Sequence, residues 1–459
     1  MTRLTRGLYD ELFASPAMRE IFCDRALIQR MLDFEAALAQ AEADIGVIPA
    51  GAATPIADCC RAERFDLDRL SNEAAVAGNA AIPLVSALTQ LVAKDDPFAA
   101  RYVHFGATSQ DAMDTGLVLS LRDALGIFEE ELTHLTDALA VLVRDHRRTA
   151  LLGRTWLQAA PPITFGLKAA GWLSATVRGR ERLRELHARV LVIQFGGAAG
   201  TLASLGDRGV HTATRLGKLL DLRVPDLPWH AERDRIVELA AALGLVTGTL
   251  GKMARDLSLM MQPELGEAFE PAGPGRGTSS TMPHKRNPLG ASVMLAAATR
   301  VPGLVATLLS AMPQEHERGL GGWQAEWESL PEICRLASGA LRHAVEVIEG
   351  LQVDARRMRE NLDATRGFVL AEAVSLALAR HVGRPTAHAA LARASRRAVE
   401  GKLSLREALA AEPEVLSHLP SDELDELCDP IAYLGVAEEW SERALAEYAA
   451  SARRNESTR

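Results

Sequence analysis

The sequence predicts an all-α protein built on several long helices, and three observations carry that reading. Only 5% of residues are aromatic, while Ala and Leu dominate the 48% that are hydrophobic. That mix costs least in helices and lacks the aromatic and β-branched side chains that strands favour. Residues 115–145 place Leu121, Leu125, Phe128, Leu132, Leu135, Leu139 and Leu142 at alternating steps of 4 and 3, a heptad-like stripe on one helix. Residues 236–261 repeat the pattern with Ile236, Leu239, Leu243, Val246, Leu250, Met253, Leu257 and Met260.

The second of these helices has another face, made of Ala240, Gly244, Thr247, Gly251 and Ala254. Gly inside a helix costs roughly 1 kcal/mol against Ala, so this face implies close packing that offsets the cost. Residues 164–195 and 290–312 also read as long helices, and together these segments imply a bundle. A helix apolar on more than one face must be covered on more than one side, which points to subunit association; a monomeric bundle is the alternative.

Shorter patterns flank the bundle. Ile28, Met31, Leu32, Phe34, Glu35 and Leu38 belong to one amphipathic helix, and IPAGAATP (48–55) and KDDPF (94–98) are breaks. After Gln352 the stripes shorten, with breaks at Gly383-Arg384-Pro385 and Glu412-Pro413. The expected layout is an N-terminal helical domain at 1–110, a central helix-bundle domain at 111–352 and a C-terminal helical domain at 353–459.

A net charge of −9 argues against general nucleic-acid or anionic-membrane binding, though not against a local basic pocket. The five cysteines, Cys23, Cys59, Cys60, Cys334 and Cys428, are scattered and form no CxxC pair, so free thiols in a reducing compartment are the simplest reading. The opening MTRLTRGLYDELF lacks the apolar centre of a signal peptide. The charge-free run Leu191–Gly206 falls short of the roughly 20 apolar residues that span a bilayer. A cytoplasmic protein with no membrane partner is expected.

The chemistry concentrates between the long helices. GPGRGTSSTMPHKRNPLG, Gly273 to Gly290, is too rich in Gly and Pro to be helix for most of its length. It carries the adjacent hydroxyls Ser279 and Ser280 and the basic residues Arg276, His284, Lys285 and Arg286, with Pro288 near the start of the next helix. Hydroxyls and cations before a helix N-terminus suit an anion on which charge develops. By composition alone a solvated surface loop is an equal reading. The EHE at Glu315–Glu317 hints at metal binding, but no further ligand pattern follows, so no metal is expected.

The run Ser279-Ser280-Thr281-Met282-Pro283-His284-Lys285-Arg286-Asn287-Pro288 resembles the signature loop of the fumarase/aspartase superfamily. HFGATSQDAMDT (104–115), GRTWLQAAPPIT (153–164), GGAAGT (196–201) and ERDR (232–235) resemble its other site regions. The resemblance implies a three-domain fold with a long central bundle. It also implies a homotetramer with sites shared between subunits, and elimination or addition beside a carboxylate without metal or organic cofactor. Carried over residue by residue, Ser279 is the proton-transfer group, with Ser280 beside it, and Lys285 and Asn287 hold the substrate carboxylate and its developing charge. Thr108, Ser109 and Gln110 are implied carboxylate donors and His104 a polar contact. Thr155, Trp156, Gln158, Met282 and His284 complete the implied binding set.

Within the superfamily, Trp156 stands where adenylosuccinate lyases usually have the histidine that protonates the departing nitrogen. Trp delivers no proton at neutral pH. A carboxylate leaving group, with a conjugate-acid pKa of about 4, needs none. QEHERGLGGWQAEWESLPE (314–332) and PWHAERDR (228–235) are similar to the superfamily's cycloisomerases, although Glu232 stands where glutamine is commoner. The implied reaction is lactonisation of a small tricarboxylate, 3-carboxy-cis,cis-muconate, as in aromatic degradation by the β-ketoadipate route. Such a triacid needs several cations, and Arg154, Arg318 and His284 are candidates. An adenylosuccinate-type lyase is the alternative; a non-catalytic crystallin-like protein is the third reading, disfavoured because Ser279 and Lys285 are present.

Overall fold

The computed structural model describes residues 7–273, 275–277, 281–282 and 285–456. The chain is all-α, as expected, with strands limited among the described residues to two short antiparallel pairs. Five helices dominate: Ser109–His146, Phe165–Val190, Asp234–Met260, Leu289–Ala311 and Gly322–Glu349. Every member of the two apolar stripes read from the sequence is buried, from Leu121 through Leu142 and from Ile236 through Met260. The small face also admits a neighbour. A Cβ added to Gly244 would lie 3.4 Å from Val305 Cγ2, so these two helices approach closely there.

The chain divides into two compact units, one from residues 1–132, 179–250 and 293–342, the other from 133–178, 251–292 and 343–459. The division falls within each of the five long helices. The first unit holds a core under the Asp24–Ile45 helix, built from Ile28, Met31 and Leu32 with Ile56, Leu84 and Leu88. The second holds a C-terminal core in which Val374 and Leu378 pack with Ala387, Leu391, Leu405 and Leu409.

Two results depart from the sequence reading. The first is GRTWLQAAPPIT, a site region between helices in a chain expected to be all-α. It forms most of a β-hairpin, Ala150–Thr155 paired with Gln158–Thr164. The Pro-Pro pair, a strand breaker on its face, is accommodated because the register shifts there: Leu152 pairs with Pro162 and Gly153 with Ala160, leaving Pro161 over. Gly153 is required at this bulge, since a Cβ would sit 2.2 Å from the Pro161 carbonyl oxygen. The turn is Trp156-Leu157, both left-handed at φ 53° and 61°. Such turns usually take Asn-Gly, and bulky residues there cost on the order of 1 kcal/mol or more each.

The second concerns apolar length, on which the sequence reading weighed only the charge-free run Leu191–Gly206. Asp234–Met260 and Leu289–Ala311 have the length and mean hydropathy, 1.4 and 1.6, of spans by composition. In the first, 61% of the apolar window is buried within the chain; in the second only 28% is.

Candidate active site

In the first unit the site region is built around the N-terminus of the Ser109–His146 helix. Thr108 precedes that helix, and its carbonyl accepts from the Asp111 amide at 2.9 Å. Asp111 reaches back to accept the Thr108 amide at 3.0 Å, which satisfies one of the orphan donors every helix start exposes. Its carboxylate does more. It also accepts from Gln194 Nε2 at 3.2 Å, the Gly196 amide at 3.0 Å, the Gly197 amide at 2.9 Å and His230 Nε2 at 2.8 Å. Five donors converge on one fully buried carboxylate, which fixes the loop before the helix against the glycine turn and the 228–235 segment. Gly197 sits at φ 68°, and a Cβ there would lie 3.0 Å from the Gly106 carbonyl oxygen.

That anchoring leaves the Thr108 hydroxyl to accept from Arg318 Nη2 at 3.0 Å; the same nitrogen reaches the Ala198 carbonyl at 3.1 Å. Arg318 Nε is buried with no acceptor among the described residues. Thr108, Ser109 and Arg318 are thus brought into one neighbourhood. Gln110 is different. It is fully buried, and its amide nitrogen donates to Asp114 at 3.0 Å and the His230 carbonyl at 2.9 Å. Both donor hydrogens of the amide expected to bind a carboxylate are thus engaged inside the protein.

His104 lies at φ 59° and places Nδ1 2.6 Å from Glu35 Oε1. Burial alone would lower the imidazole pKa, but the charge and hydrogen bond of Glu35, with the charge of Asp111, leave it raised. In the ERDR segment Glu232 is exposed, while Arg233 is buried between Asp114 and Glu326. Arg233 Nη1 lies 2.6 Å from Asp114 and Nη2 2.5 Å from Glu326, with the guanidinium stacked 4.7 Å from the Trp229 ring centre. Burial pushes the Glu326 carboxyl up and Arg233 opposes that shift.

In the second unit Thr155, Trp156, Leu157 and Gln158 form the hairpin tip, all exposed, Trp156 by 97%. Arg154, expected as a substrate cation, is committed elsewhere. Its guanidinium grips buried Glu267 through two bonds of 3.0 and 2.6 Å, and Asn361 donates to the same carboxylate at 2.9 Å. Its positive charge is therefore neutralised within the unit.

The signature segment is held at both flanks. Asn287 closes it, with its amide and its Nδ2 each donating to the Gly277 carbonyl at 3.0 Å. Arg286 donates to the Glu270 carbonyl at 2.5 Å and to Gln352 at 3.0 Å. Lys285 and Met282 are exposed. Ser279, Ser280 and His284 lie outside the described residues. The helix N-terminus that follows, expected to favour an anion, already holds one. Glu270 accepts the Gly290 amide at 2.9 Å and the Ala291 amide at 2.8 Å. The sequence reading missed Glu35, Asp111, Glu267 and Glu270; Asp111 stood inside the quoted HFGATSQDAMDT run, but its partners lie far along the chain.

Residues 12–303 match the family model described as lyase, and residues 367–444 that of the adenylosuccinate lyase C-terminus. The chain belongs to this lyase family, within the fumarase/aspartase superfamily. It is 58% identical over 441 residues to the 3-carboxy-cis,cis-muconate cycloisomerase of Pseudomonas aeruginosa, covering 96% of each chain. It is 56% identical to that of Pseudomonas putida, covering 92% of this chain and all of the relative. The crystal structure of the 3-carboxy-cis,cis-muconate lactonizing enzyme from Pseudomonas putida superposes with a TM-score of 0.93 at 55% identity, over 97% of this chain and 100% of that one.

Proposed function

We propose that this protein converts 3-carboxy-cis,cis-muconate to a carboxymuconolactone, in the degradation of aromatic compounds. The high identity to enzymes of that name over nearly the whole chain carries this reading. Trp156 at the hairpin tip supports it, since a carboxylate leaving group or nucleophile needs no acid there.

One substrate carboxylate oxygen forms a bond to the diene carbon β to another carboxyl. The π pair moves toward that second carboxyl as an enolate-like dianion, and the α carbon then takes a proton. Lys285, Asn287, Thr108 and Ser109 stabilise the developing charge as preorganised donors. Ser279 delivers the proton, with Ser280 beside it. A hydroxyl needs local cationic help for such a role, which Lys285 and His284 supply. Thr155 and Gln158 present further polar contacts from the hairpin, and Met282 an apolar one.

The functional form is a homotetramer with sites shared between subunits. The Leu289–Ala311 helix, apolar yet little covered by its own chain, and the exposed Trp156-Leu157 tip support association. We read both span-length helices as bundle helices of a cytoplasmic enzyme. The three-domain layout with boundaries near 110 and 352 belongs to the same reading.

The test is proton stoichiometry together with diene absorbance. Lactonisation turns one carboxylate into an ester and adds a proton to carbon, so each turnover consumes one proton near neutral pH as the absorbance falls. Turnover of adenylosuccinate alone, without proton uptake, would refute the proposal and favour the amine-lyase reading.

A further inference from the structure

We infer that Glu35 is a positioning residue for His104: its buried carboxylate accepts the Nδ1–H hydrogen bond of the imidazolium and leaves Nε2–H as a charged donor for one carboxylate of the substrate. The inference rests on the lactonisation reading, because a triacid needs more than one cation and Arg154 is already neutralised by Glu267.

The geometry comes first. Glu35 is buried on the Asp24–Ile45 helix, and His104 Nδ1 stands 2.6 Å from its Oε1, a charge-assisted distance. His104 is held in the left-handed region at φ 59°, unusual for a non-glycine residue, four positions before Thr108. With Nδ1 committed, Nε2 is the nitrogen left for a ligand. The ring is not sealed off; 16% of its side chain is exposed.

The charges around this pair decide its state. Glu42, on the same helix as Glu35, is fully buried, and both its oxygens lack a partner among the described residues. Burial, and then the charge of Glu35, push its carboxyl up to about 9, so Glu42 is neutral at physiological pH. Glu35 is therefore the carboxylate that faces the imidazolium from this helix. Asp111 adds negative charge from the Ser109–His146 helix, but its own oxygens are saturated by five donors, so it acts on His104 only through space. The carboxylate–imidazole pair fixes tautomer, ring direction and charge at once.

The experiment measures binding of tricarballylate by calorimetry to the full-length protein, between about pH 6.5 and about pH 9. Wild type, Glu35→Gln and His104→Gln are compared, and kcat and KM for 3-carboxy-cis,cis-muconate are followed over the same range. In wild type, affinity falls as pH rises through the His104 pKa. Glu35→Gln moves that fall to lower pH and weakens binding about tenfold near pH 7.5, raising KM more than it lowers kcat. His104→Gln abolishes the pH-dependent fall. Superimposed profiles for wild type and Glu35→Gln overturn the assignment, as does a fall that survives in His104→Gln; the latter variant decides the question if Glu35→Gln does not fold. A wild type that shows the pH-dependent binding yet leaves the muconate untouched refutes lactonisation while the Glu35–His104 assignment stands.

Discussion

Glu270 closes the N-terminus of the Leu289–Ala311 helix, its Oε2 accepting the Gly290 amide at 2.9 Å while Oε1 takes that of Ala291. The capping carboxylate comes from 20 residues upstream, so it also pins the signature segment at the point where the chain re-enters helix. Glu270→Ala removes both acceptors and should cost about 2 kcal/mol. Thermal unfolding followed by circular dichroism should show a lowered midpoint, and muconate turnover should fall with it. An unchanged midpoint would mean that water or another residue caps the helix equally well.

Lys285 is exposed, and its side chain is tied to no other group among the described residues. Lys285→Ala should therefore change stability by less than about 0.5 kcal/mol. Its kcat/KM should drop by about 10²-fold or more, as when a preorganised donor to developing charge is removed. Ser279→Ala should abolish turnover with the helical spectrum intact. Wild-type rates in the serine variant would remove Ser279 from the mechanism.

Trp156→Phe separates shape from proton delivery. Neither residue can donate a proton to the leaving group, so the loss in kcat should stay below about tenfold, against the 10²–10⁴ typical of a missing general acid. A larger loss at unchanged KM would show that the indole N–H takes part in the chemistry.

Glu42 gives the protein a pH-dependent stability term whose sign follows from its raised pKa. The unfolded carboxyl ionises near 4.5 whereas the folded one holds its proton up to about 9. Its contribution is fully present below the lower value and is lost as pH rises between the two. Glu42→Gln should flatten the stability profile across that window and unfold later than wild type near pH 8, by on the order of 2 kcal/mol. Denaturant titrations at about pH 5 and about pH 8 measure this. Parallel profiles would mean that Glu42 ionises freely in the folded state.

The long helices were legible because one periodic signal, Leu or Met at every third or fourth position, sufficed for each. The hairpin was not, because Pro161-Pro162 reads as a breaker until the bulge opposite Gly153 is seen. Thr108, Lys285 and Asn287 could be singled out from local motifs. The roles of Arg154 and Gln110 could not, since each depends on a partner distant in sequence: Glu267 for the first, the His230 carbonyl for the second. Periodicity reports burial, whereas the pairing of buried polar groups depends on long-range closure that no local pattern encodes.

Asp111 bears on how the molecule matures. Three of its donors, Gln194, Gly196 and Gly197, lie 83 to 86 positions along the chain, and His230 lies 119 away. Helical turns form from neighbours in sequence, but this knot cannot tie until those loops have closed. On refolding, the far-ultraviolet helical signal should return before catalysis does, because the turn carrying Thr108, proposed above to bind substrate, is fixed only when the last of these stretches of chain arrives.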